Sequence, residues 1–113
     1  MPLTPRQRLR SIRQTIRSWR LGSTRNHWRL EELAKLIDPV VQGWLNYYGR
    51  FYRTECVNVL RHVNDALARW TRRKYKRLKG RKVASVYWLG RLAQRDPNLL
   101  YLWRVGIRPA AGR

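Results

Sequence analysis

From Trp70 the chain reads Trp70-Thr71-Arg72-Arg73-Lys74-Tyr75-Lys76-Arg77-Leu78-Lys79, cations interleaved with aromatic rings. With Arg69 before it and Arg81 and Lys82 after it, this stretch carries nine cations, and no acidic residue occurs between Asp65 and Asp96. A second series, Arg6, Arg10, Arg13, Arg17 and Arg20, recurs near helical pitch in an N-terminal stretch that holds no acid before Glu31. Such arrays bind nucleic-acid phosphates, because Lys and Arg release condensed counterions on contact. Tyrosine and arginine faces also stack on unpaired bases, worth about 1–3 kcal/mol per base. A charge run is ordinarily a solvated face around core aromatics. Two ridges on separate helices, both without intrahelical acids, weaken that reading. Charge alone does not separate RNA from DNA.

Catalytic constellations are missing from the sequence. The carboxylates Glu31, Glu32, Asp38, Glu55, Asp65 and Asp96 include no i, i+4 pair, so no two-metal or glycosidase-like dyad is visible. Cys56 and His62 stand six residues apart, which is not a same-face helical spacing for a nucleophile and its base. Two histidines and one cysteine fall short of a four-ligand zinc site. There is no phosphate-cradling glycine loop. The plain reading of Cys56, His27 and His62 is ordinary core or surface residues, and no cofactor is expected.

The bulk properties agree. The 113 residues hold 26 Lys and Arg against 6 Asp and Glu, a net charge of +20, which calls for a polyanionic partner. Nucleic acid is the first such partner and an anionic membrane surface the second. The 43% hydrophobic content and six tryptophans supply a core for one domain. No apolar run approaches the roughly 20 residues that span a bilayer. A single cysteine fits a reducing compartment.

The elements that must position the cations read as helices throughout. Thr4-Pro5 opens the first, with Leu9, Ile12, Ile16 and Trp19 inward and Gly22 as its C-terminal glycine. A mitochondrial transit peptide shows the same Arg-rich amphipathicity, but does not end in a clean cap that leads into further helices. Trp28, Leu30, Leu33, Leu36 and Ile37 mark a short second helix, with Glu31 and Glu32 in its first turn. Asp38-Pro39 is expected to break it and start a third. Thr54 is expected to cap a fourth helix that runs to about Lys79, with Leu60, Val63, Leu67 and Trp70 inward and Gly80 beyond it. Val83 to Gln94 form a fifth, and Asp96-Pro97 opens a short closing segment from Leu99 to Val105. No stretch has strand periodicity.

The third of these helices carries Gly43-Trp44-Leu45-Asn46-Tyr47-Tyr48-Gly49-Arg50-Phe51, with four aromatics in nine residues. Gly43 inside a helix costs about 1 kcal/mol relative to alanine, which suggests a close approach by another backbone. Trp44, Tyr48 and Phe51 are assigned to packing, and Asn46, Tyr47 and Arg50 to an outward face. The segment reads as the packing hub that aims the two basic ridges.

The order of these elements resembles the maturase-specific domain, or domain X, of group II intron-encoded reverse transcriptases. The resemblance rests on Leu30-Glu31-Glu32-Leu33, on Asp38-Pro39 followed by the Gly43–Phe51 block, on Leu67-Ala68-Arg69-Trp70 with Arg73-Lys74-Tyr75-Lys76, on Trp88-Leu89, and on Pro97-Asn98-Leu99-Leu100-Tyr101-Leu102-Trp103. Leu102 departs from the histidine the family often has there. The resemblance implies an all-α, thumb-like bundle of four to five helices over residues 1–107, with a flexible tail at 108–113. It implies a domain that grips RNA/DNA template–primer, binds group II intron RNA to stabilise its splicing-competent fold, and packs on a finger/palm domain that holds the polymerase aspartates. On that reading the chain looks like the domain alone, a cut piece or the remnant of a mobile element. It has no catalytic centre and no membrane partner, and works in a bacterial cytoplasm or a eukaryotic organelle. The expected RNA contacts are Arg6, Arg10, Arg13, Arg17, Arg20, Asn46, Tyr47, Arg50, Arg69, Arg72, Arg73, Lys74, Lys76, Arg77, Lys79, Arg81 and Lys82. A general DNA- or membrane-binding cationic domain and a non-functional remnant are the competing readings.

Overall fold

The computed structural model describes residues 5–25 and 27–110, with the side chains of Pro5, Arg6 and Thr24 set aside. The cap expected at Thr4 and the Arg6 side chain lie outside these residues. Within them six α-helices follow in order: α1 (Pro5–Ser18), α2 (Leu21–Thr24), α3 (Leu30–Tyr48), α4 (Arg53–Lys74), α5 (Lys82–Arg95) and α6 (Tyr101–Arg104). Single 3-10 turns at Lys76–Leu78 and Pro97–Leu99 flank α5. The described residues contain no strand, so the fold is all-α.

The longest helix, α4, is the axle. Its inward stripe Cys56, Leu60, Val63, Leu67 and Trp70 is buried, and α1, α2, α3 and α5 all pack on it. The α1 stripe Leu9, Ile12 and Ile16 seats against it at the 3.6-residue pitch that the sequence shows. Two buried polar contacts fix the C-terminal segment: Trp103 Nε1 donates to Asn64 Oδ1 at 2.9 Å, and Asn64 Nδ2 donates to the Ile107 carbonyl at 3.4 Å.

Four local expectations are overturned. First, α1 does not run to a glycine cap. It stops at Ser18, and Arg20 takes left-handed geometry at φ 49° and ψ 47°. That conformation costs a non-glycine residue roughly 1–2 kcal/mol. Burial of both neighbours, Trp19 and Leu21, holds it in place. Second, Asp38-Pro39 does not divide a helix, for α3 runs through Pro39 unbroken. An interior proline costs about 3 kcal/mol. The buried stripe Leu33, Ile37 and Val41 stays in phase across it, and each such side chain returns about 1.5–3 kcal/mol. Asp38, expected as a cap, instead accepts the Tyr101 backbone N–H at 3.0 Å and so ties α6 to α3.

Third, Gly43 is exposed and a Cβ there would meet no atom within 4 Å, so no backbone approaches it. Gly49 does close α3, as its C-cap, with its N–H donated to the Leu45 carbonyl. Fourth, α4 is not capped by Thr54 and does not reach Lys79. Tyr52 is its N-cap, Thr54 lies in its first turn, and it stops at Lys74 where Tyr75 turns extended. The Gly43–Phe51 block is likewise not the packing centre: Trp44, Leu45 and Tyr48 are half-buried at the rim, and the buried core is supplied by α1, by α3 before this block, and by α4, α5 and α6.

Candidate nucleic-acid interface

The packing of α1 and α2 on α4 brings the two basic ridges to one place. Arg17 on α1, Arg20 at the left-handed turn, and Arg69, Arg72 and Arg73 on α4 line an open groove of about 400 Å³, floored by Ile16, Leu21 and Ala66. A smaller recess of about 50 Å³ adjoins it through Arg17 and Arg69, and adds Arg13, His62 and Asp65. At one side of the groove α2 approaches α4 closely. A Cβ on Gly22 would stand 3.3 Å from Arg73 Cγ and 3.4 Å from the Arg69 carbonyl oxygen, so a larger residue would push the two walls apart.

Crowded guanidiniums show in the electrostatics. Arg72 is half-buried and its Nη1 donates to Ser85 Oγ at 2.9 Å, which ties the groove wall to α5. Burial, and then the neighbouring Arg69, lower its pKa from the ordinary arginine value. Arg13 Nε donates to His62 Nε2 at 3.0 Å, so that nitrogen carries no proton. Burial and the charge on Arg13 push the His62 pKa down; Asp65 opposes them, and Arg17 and Arg69 add to them. Among the residues that line the groove and its recess, Asp65, in the recess, is the one carboxylate.

The remaining predicted residues fall outside this groove. Lys76, Arg77, Lys79 and Arg81 stand exposed on the connector between α4 and α5, which turns through Gly80 at φ 74°, and Lys82, also exposed, opens α5. Lys74 Nζ donates to the Trp28 carbonyl at 2.8 Å and lies 5.4 Å from the Trp70 ring centre, inside an aromatic nest with Tyr75 and Trp88. Arg10 is exposed on α1. Asn46 lines a separate recess of about 350 Å³ with Arg53, Tyr101 and Ile107.

Tyr47 is 63% exposed, and its hydroxyl accepts from Arg8 at 2.6 Å. Arg50 sits 5.8 Å from the ring of Phe51. Phe51, assigned above to packing, is 78% exposed, because the chain has already left α3 at Gly49 and carries the ring outward on the turn. Trp44 does pack, stacked on Trp19 at 6.0 Å.

Sequence reasoning set aside His62 and did not single out Arg8 or Ser23. His62 had a readable mark: with Asp65, Arg69 and Arg72 or Arg73 it follows the three- and four-residue spacing of one α4 face.

A family model described as the group II intron, maturase-specific domain, matches residues 9–88. The chain belongs to that family. Neither a curated protein nor a solved structure matches it. The matched span runs from α1 into α5 and takes in the whole groove; the Pro97–Trp103 motif lies beyond it. The maturase-specific domain is a non-catalytic part of intron-encoded reverse transcriptases, and the function of this chain is maturase-related. Among the described residues no helix is long and apolar enough to cross a membrane, and no group of three metal-ligating side chains comes together.

Proposed function

We propose that this maturase-specific domain binds group II intron RNA by gripping its backbone in the α1–α2–α4 groove. The observation that carries the reading is the convergence of Arg17, Arg20, Arg69, Arg72 and Arg73 from separate elements on one concavity. Guanidinium forks meet phosphate oxygens two at a time, and a concave wall lets several converge on neighbouring phosphates. Arg13 extends the grip at one end and Arg10 continues the ridge; Arg6, whose side chain lies outside the described residues, is proposed as a further phosphate contact on its charge alone. Lys76, Arg77, Lys79, Arg81 and Lys82 form a second, looser phosphate tier, with Lys74 as the strut beside it. Asn46, Tyr47 and Arg50 offer a third surface, for RNA or for a finger/palm domain. Bound this way, the domain holds the intron in its splicing-competent fold and, within a reverse transcriptase, grips template–primer. The chain supplies no catalytic group to either task.

A filter-binding titration against a group II intron RNA between about 50 and 200 mM salt tests this. The expected result is a steep negative log–log slope, with binding outlasting competition by duplex DNA and by anionic vesicles at fixed salt. A slope near zero, or equal competition by all three polyanions, contradicts it.

A further inference from the structure

We propose that His62 is a proton-dependent phosphate ligand of the groove, so that binding of a nucleic-acid backbone takes up one proton. The inference rests on the reading of the groove as a phosphate site. His62 Nε2 is the acceptor for Arg13 Nε at 3.0 Å, and Nδ1 faces Asp65 Oδ2 at 3.7 Å. The imidazole is therefore neutral, with its proton on the Asp65 side and its lone pair spent on a guanidinium. The recess around it is lined from α1 and α4 alone. The charged groups that face it are Arg13 and Arg17 from α1, with Asp65 and Arg69 from its own helix. Partial burial opposes a further positive charge, and three cations against one anion add to that.

A phosphodiester in the recess reverses the balance. Its oxygens draw the Arg13 guanidinium off Nε2 and neutralise the field of the surrounding arginines. The freed lone pair then takes a proton from solvent. The new Nε2–H donates to a phosphate oxygen while Nδ1–H stays towards Asp65, and the histidine becomes one more cation in the grip. Asp65 thereby gains a role: it favours the imidazolium just where every other neighbour opposes it. The sign follows from linkage. Bound His62 holds its proton at a pH where free His62 has lost it, so affinity is greatest below the free pKa and declines as pH rises through the bound one.

The test is affinity for a short RNA hairpin at fixed salt, measured at about pH 5.5 and about pH 7.5. The intact chain is expected to bind roughly three- to tenfold tighter at the lower pH. His62→Gln, which keeps an acceptor for Arg13, is expected to flatten that difference to under about twofold, whereas His27→Gln leaves it in place. Nitrogen-15 NMR of the imidazoles near neutral pH should show His62 neutral in the free protein and doubly protonated in the complex. A His62→Gln profile that matches the intact chain, or an imidazole that stays neutral when bound, overturns the inference. Either result leaves the salt slope, and with it the groove as a phosphate site, untouched.

Discussion

Two basic regions of this domain carry five cations each, largely exposed in both, and differ in how those cations are arranged. The groove is built from arginines on α1, α4 and the turn between α1 and α2, which face one another across a concavity. The connector from Lys76 to Lys82 is lysine-rich and exposed, and its side chains make no hydrogen bond among the described residues. An ammonium on a turn meets phosphates one at a time and loses rotamer freedom to do so, whereas guanidiniums that line one concavity, with Arg72 held on Ser85, can meet neighbouring phosphates together. Arrangement, more than charge count, should therefore decide which region holds RNA.

The sharpest way to break that comparison is charge reversal on opposite walls. Arg17→Glu with Arg69→Glu is expected to weaken intron-RNA binding by at least about thirtyfold at fixed salt, while circular dichroism stays native. Second, Gly22→Val should push α2 off α4. A loss of about 1–2 kcal/mol in urea unfolding is expected, together with a several-fold loss of affinity, since both walls move. Third, Arg20→Gly relieves the left-handed strain and removes one groove cation. Stability should hold or rise by up to about 1 kcal/mol while affinity falls roughly three- to tenfold. A variant of that kind, firmer but weaker in binding, would mark Arg20 as kept for the ligand. Smallest of all, Lys79→Ala on the connector should cost less than about threefold.

The two basic stripes are legible in the sequence, because charge and helical period are properties of the chain itself. Their convergence is not. It depends on Leu9, Ile12 and Ile16 seating α1 along α4, and on a reversal at Arg20 that no glycine or proline announces. Gly22 reads as the stop of the first helix, yet it serves the contact between α2 and α4. Asp38-Pro39 misleads for a related reason. The local rule for proline is real, but the buried stripe on either side and the distant Tyr101 N–H outweigh it. The aromatic block at Gly43–Phe51 looks central because rings dominate small cores. Gly49 ends the helix and turns Phe51 to solvent, and the true centre is the plainer aliphatic stripe of α4.

The salt dependence of intron-RNA affinity, compared between two neutralised triples, tests the central claim most directly. Arg17→Ala, Arg69→Ala and Arg73→Ala together should lower the log–log slope by about three, and Lys76→Ala, Arg77→Ala and Lys79→Ala together by about one. Equal reductions from the two triples, or a larger one from the connector, would contradict the account.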